Sequence, residues 1–168
     1  MKYANSYLVS IQYLGFRFHG WQKQKNVMSL HEMIDKTLGF VFLHKDFKTL
    51  GSSRTDSKVS ANTYYFQLFT NEPILDKEFI ESFNFNAPSD LKAITLTNIS
   101  TPFNIIQSSK VKEYHYYFSH GIKNHPFSAY SFKTETCCIL KISDTLLILV
   151  VGMSTQGVRV RVSPPSSI

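Results

Sequence analysis

The sequence is poor in cysteine: it has two, and they are neighbours, Cys137 and Cys138. With no Cys-x-x-Cys pair and no spaced framework, a disulfide-stapled secreted scaffold is excluded and a reducing compartment fits. The six histidines are scattered without paired metal-ligand spacing, which leaves no zinc-type site to argue for. Long hydrophobic runs are missing too. The most apolar stretch, Leu146 to Val151, is far too short to cross a bilayer. The chain opens with Lys2 and Tyr3, then Ser6-Tyr7-Leu8-Val9, and no signal-type apolar region follows. The expectation is a cytoplasmic soluble protein with no membrane partner.

What is present is a globular composition. The chain has 168 residues, 43% of them hydrophobic, which is enough for one domain with a real core. Aromatics are plentiful, with 14 Phe, 9 Tyr and 1 Trp; such rings fill cores or stack on nucleobases. Eighteen Lys and Arg against twelve Asp and Glu give a formal charge of +6. That balance favours an anionic partner such as nucleic acid, although a mildly basic soluble protein has the same balance.

Residues 6–13 are rich in β-formers and partly alternating, and read as a strand. Gly15 to Asn26 is polar, aromatic and punctuated by Gly15 and Gly20, and reads as a loop. A helix starts at Ser29, where Ser29 and Glu32 have the spacing of a capping box. Leu30, Met33, Ile34, Leu38, Val41 and Phe42 then form one apolar stripe. Residues 59–69 read as a strand. Pro73 and Asp76 introduce a second helix with Phe79, Ile80 and Phe83 on one face, and Pro88 ends it. Residues 93–99 and 114–118 read as further strands. In the last forty residues, Thr145 to Val151 can form a strand, and Gly157 to Val162 alternates like an edge strand. The order predicts an α+β domain, a mainly antiparallel sheet with helices on one face.

Three stretches carry candidate chemistry: Phe18 to Gln24, Gly51 to Ala61, and Lys112 to Tyr117. In the second, Arg54 and Asp56 are two residues apart and can pair through a charge-assisted hydrogen bond. An aspartate so held stays ionised and suits a nucleophile or electrostatic stabiliser. Spacing alone far more often marks a turn or helix-cap aspartate beside a solvated arginine. Trp21 can stack on a base, but a lone tryptophan is more often a core anchor. Tyr114, Tyr116 and Phe118 alternate onto one strand face, either as sheet core or as a stacking surface.

Five segments in series over about residues 6–120 resemble the first half of the TruA-type tRNA pseudouridine synthases. Tyr13-x-Gly15 followed by Phe18-x-Gly20-Trp21-Gln22 resembles the family's opening motif, and Ser29 to Leu38 its first helix. Arg54-Thr55-Asp56, then Val59-Ser60-Ala61, resembles its catalytic signature. Asn84 with Ala87-Pro88-Ser89-Asp90-Leu91 resembles its Leu-Pro-x-Asp-Ile segment. Phe103, then Tyr114-x-Tyr116, resembles its Phe-His-Ala-Arg and Tyr-x-Tyr block. The chain has Leu14 and Ser53 where the family pattern has Asp and Gly, Lys58-Val59-Ser60 where it has Gly-Val-His, and Asn104-Ile105-Ile106 where it has His-Ala-Arg.

The resemblance implies a pseudouridine synthase-like, ferredoxin-like half and a reaction. A uridine in the tRNA anticodon stem-loop is flipped into a pocket, its glycosidic bond breaks, and the base rotates and rejoins through carbon. Asp56 would be catalytic, attacking the sugar or the base or removing a sugar proton. Arg54 would pair with Asp56 and fill the gap left by the flipped base. Tyr114 would pack on that base and take part in proton handling. An isomerisation needs no metal and no organic cofactor, and the complete enzyme would be a homodimer.

The family's second half has no match after about Tyr130. The expected organisation is a catalytic subdomain over residues 1–125 and an unassigned tail over 126–168 from a truncated or frame-shifted copy. The competing expectations are a remnant that binds RNA without turnover, and an unrelated RNA-recognition module. The second lacks its signature, because Lys112 to Phe118 has no glycine.

Overall fold

The computed structural model describes residues 3–100, 102–108, 112–120, 126, 132–134, 140–143, 146–148 and 156–162, with side chains detailed over 3–100 and 102–108. The chain divides into two compact units, Met1–Ser109 and Lys110–Ile168.

The first unit is an α+β layer. Its elements are β1 (Asn5–Tyr13), α1 (Leu30–Phe42), β2 (Phe47–Gly51), β3 (Ala61–Thr70), α2 (Asp76–Asn86), β4 (Leu91–Asn98) and the short α3 (Ile105–Ser108). The strands form one antiparallel sheet in the order β2-β3-β1-β4. Alternation decides which face is dry. Tyr7, Val9, Ile11 and Tyr13 of β1 stand beside Leu68, Phe66, Tyr64 and Ala61 of β3. With Leu30, Ile34 and Leu38 of α1 and Phe79 and Phe83 of α2, they build a single core. The two long helices therefore cover one face, as the apolar stripes predict.

The opposite face is held by a polar residue. Gln67 is 1% exposed; its amide nitrogen donates to Ser6 Oγ (2.8 Å) and to the Phe103 carbonyl (3.1 Å), and its oxygen accepts from Ile105 N (3.3 Å). That buried amide is fully used, which ties the 103–108 segment to the sheet. At the edge strand β4, Asn84 of α2 offers its amide to both backbone groups of Ala93, at 2.9 and 2.7 Å. The side chain thus stands where a further strand would pair.

Three details differ from expectation. Glu32 N donates to Ser29 Oγ, so Ser29 caps α1. The return half of the capping box is not made, because the Glu32 carboxylate pairs with Lys36 one turn on, at 2.9 Å. The strand expected from residue 59 begins at Ala61, since Val59 N turns back to the Asp56 carbonyl (3.4 Å) and Ser60 Oγ is engaged elsewhere. β2 is short, and no strand is read from the sequence over those residues.

In the second unit, β5 (Lys112–His120) pairs in parallel with β6 (Phe132–Thr134) and antiparallel with β9 (Gln156–Val162); β7 (Leu140–Ser143) pairs with β8 (Leu146–Ile148). The alternating Gly157 to Val162 segment lies in β9, an edge strand as expected. Residues 163–168 and Gly121 lie outside the described residues. Among the described residues no helix is long and apolar enough to cross a membrane.

Candidate active site

β2 and β3 are hydrogen-bonded neighbours, yet residues 52–60 connect them, far more than a tight turn needs. The surplus forms a loop, and the loop carries Arg54 and Asp56. It is laid against the second irregular stretch, residues 14–29, by a series of short-range ties. Trp21 N donates to the Thr55 carbonyl at 3.0 Å, and Lys58 N to the Phe18 carbonyl at 3.0 Å. Gly15 N donates to Ser60 Oγ at 2.8 Å. The Tyr13 hydroxyl donates to Thr55 Oγ1 at 3.4 Å, and the Tyr64 hydroxyl donates to the Ser53 carbonyl at 2.5 Å.

Two glycines make this contact possible. A Cβ on Gly15 would sit 2.0 Å from the Val59 oxygen, and one on Gly20 would sit 2.5 Å from the Thr55 oxygen. Gly20 also has a φ of +79°, the left-handed region that glycine enters without strain. The motif glycines are therefore points where one loop's backbone touches the other's.

Beneath the loops lies an aromatic floor. Phe18, Trp21, Tyr13 and Tyr64 are all buried. Trp21 lies 4.9 Å from Tyr64 and is stacked on His31 at 4.8 Å; Tyr13 meets Tyr64 edge-on at 6.0 Å. Trp21 is thus a core anchor and not a base-stacking surface. Burial raises the phenol pKa of both Tyr13 and Tyr64 above the ordinary value. Beside the floor runs a polar chain: Lys23 pairs with Asp35, Thr49 Oγ1 donates to Asp35 Oδ1 (2.6 Å), and His31 Nε2 lies 2.7 Å from the same hydroxyl. The hydroxyl's one proton goes to Asp35, so His31 Nε2 is the donor in the other bond.

The tethers seize Ser53 and Thr55 and leave the side chains of Arg54 and Asp56 exposed. The expected Arg54–Asp56 pair is absent: among the described residues no ion pair or hydrogen bond joins them. On an exposed loop each charge is hydrated separately. An ion pair that sequence reasoning missed is made instead by Arg17 with Asp90. The Arg17 guanidinium spans the carboxylate, with one N–H at 2.7 Å, and Asp90 belongs to the Pro-x-Asp segment quoted above. Leu14 N also donates to the Asp90 carbonyl at 2.9 Å. Around the loops Leu14, Phe16 and Val59 remain exposed. Tyr114 belongs to β5 in the second unit, and its side chain lies outside the described residues.

The roles of Tyr13, Tyr64 and Ser60 were also missed. Hydroxyls on residues in or beside a strand give no sequence signal of what they bond, although Tyr13 and Ser60 stood within quoted motifs. Among the described residues no group of three or more His, Cys, Asp or Glu is arranged to hold a metal ion.

No family model matches the sequence. Individual curated proteins do. The chain is 34% identical to the tRNA pseudouridine synthase A of Mycoplasma mycoides subsp. mycoides over 129 residues, 76% of this chain and 49% of that protein. It is 33% identical to the tRNA pseudouridine synthase A of Clostridium acetobutylicum over 64% of this chain and 44% of that protein. With that of Aquifex aeolicus it shares 30% identity over 73% of this chain and 50% of that protein. The chain spans about half the length of the curated relatives it matches.

Proposed function

Because this chain belongs, across the stretch it shares with them, to the tRNA pseudouridine synthase A family, we propose that it isomerises uridine to pseudouridine in the anticodon arm of tRNA. One observation carries the assignment to the site: the Asp56 carboxylate stands in solvent on a loop whose backbone is fastened at residues on either side of it. A reacting group needs both properties. It must be open to a substrate as large as a flipped nucleotide, and it must be held still before the substrate arrives.

In this reading Asp56 is the catalytic carboxylate. The bond from the sugar to N1 of uracil breaks, the bond to C5 forms, C5 loses a proton and N1 gains one. Nothing is oxidised or reduced, so the residues need supply only a carboxylate, proton handling and a pocket for the turned base. Arg54, unpaired and exposed beside Asp56, is free to meet phosphate or to occupy the space the base vacates. Tyr114 packs on the flipped base. The catalytic subdomain runs over residues 1–125, with 126–168 unassigned. The working form is a cytoplasmic homodimer, and the basic balance of the chain suits its tRNA partner.

Unmodified tRNA transcripts test the proposal. The expected product is pseudouridine confined to the anticodon arm, located by chemical mapping. Transcripts that bind yet acquire no pseudouridine would mark an RNA-binding half-domain and overturn the enzymatic reading.

A further inference from the structure

Tyr64 lies in β3 opposite Ile11 of β1 and is 5% exposed. Its hydroxyl reaches the 52–60 loop, and there it grips both backbone groups of one residue. It donates to the Ser53 carbonyl at 2.5 Å and lies 3.4 Å from the Ser53 N–H, which donates to it. Ser53 directly precedes Arg54-Thr55-Asp56. The ring is pinned by Tyr13 edge-on and by Trp21. Room for the hydroxyl exists because residue 51 is glycine: a Cβ there would fall 2.3 Å from the Tyr64 oxygen and 2.4 Å from the Trp21 ring. Two residues after Ser53, Thr55 is held by Trp21 N and by the Tyr13 hydroxyl. Residues 53–55, just before Asp56, are thus suspended from the hydroxyls of two buried tyrosines and the backbone N–H of Trp21.

We propose that Tyr64 is a positioning residue for Asp56, fixing the start of the Arg54-Thr55-Asp56 segment through the Ser53 backbone. The proposal rests on the reading of Asp56 as the reacting carboxylate. A phenol that merely satisfied its own hydrogen bond would matter for stability and not for turnover. One that positions the loop matters for kcat while leaving substrate affinity alone, since neither Tyr64 nor Ser53 need touch the RNA. Burial keeps the Tyr64 proton in place through the working pH range, so its contribution is the same at every assay pH.

The test compares Tyr64→Phe, which keeps the ring and removes only the oxygen, with Tyr65→Phe at the neighbouring, 41% exposed position. Two readouts are taken on the full chain: steady-state kinetics on tRNA transcripts, and the rate of tryptic cleavage after Arg54, an exposed arginine within the suspended segment. For Tyr64→Phe the expected result is a kcat about tenfold lower, a KM within about twofold, and a variant-to-wild-type ratio that is flat with pH. Cleavage after Arg54 rises about fivefold or more as the segment is released. Tyr65→Phe leaves both readouts unchanged. Unchanged kcat with unchanged cleavage in folded Tyr64→Phe overturns the proposal, as does a ratio that bends with pH, which would make Tyr64 a proton donor in the chemistry. If the wild type forms no pseudouridine, the functional reading fails separately and the cleavage rates alone decide the positioning claim: faster in Tyr64→Phe supports it, equal rates overturn it.

Discussion

The backbone N–H of Trp21 donates to the carbonyl of Thr55 at 3.0 Å, so the residue next to Asp56 hangs from the tryptophan of the opening motif. Two sequence motifs more than thirty residues apart are therefore one structural object, and changes in either should be felt at the other.

Gly15→Ala tests that coupling. Its new methyl would meet the Val59 carbonyl at 2.0 Å, backbone against backbone, with no flexible side chain to yield. The expected outcome is a loss of about 1–3 kcal/mol in stability by denaturant unfolding. Residual turnover in the folded fraction should also fall, because the loop must move to admit the methyl.

Gly39→Ala should do the opposite. Gly39 sits inside α1 with nothing within 4 Å of an added Cβ. Alanine loses less conformational freedom on folding, and the expected gain is about 0.5–1 kcal/mol in chemical denaturation. Activity should stay at the wild-type level.

His31 gives the fold an acid-sensitive point. Burial lowers its pKa below the ordinary 6.5; Asp35 opposes that shift and Lys23 adds to it. The unfolded chain therefore takes up a proton before the folded chain does. Stability from this residue is complete above about pH 6.5 and is lost as pH falls through the lowered folded value. Melting temperature measured down to about pH 5 should decline, and His31→Gln, which keeps an N–H donor for Thr49 without titrating in that range, should flatten the decline.

Much of this architecture was legible in the sequence. The α1 stripe works because helical spacing and burial agree: Leu30, Ile34 and Leu38 are 0% exposed. Gly15 and Gly20 marked the loop, but their partners in the second loop were not visible, since a close backbone approach leaves no trace in local pattern. The same limit explains the Arg54–Asp56 expectation. Spacing brought the charges close along the chain, while Tyr13, Trp21 and Tyr64 determine the loop's attachment from three distant positions. Arg17 and Asp90 lie seventy-three residues apart, and no periodicity links them.

Pseudouridine formation on unmodified tRNA transcripts, measured for wild type beside Asp56→Ala, tests the central claim most directly. Asp56 is exposed and its side chain bonds nothing among the described residues, so its loss should leave the melting temperature within about 2 °C. Wild type is expected to form pseudouridine in the anticodon arm, and Asp56→Ala none above background. Equal product from both proteins, or no product from a folded wild type, would contradict it.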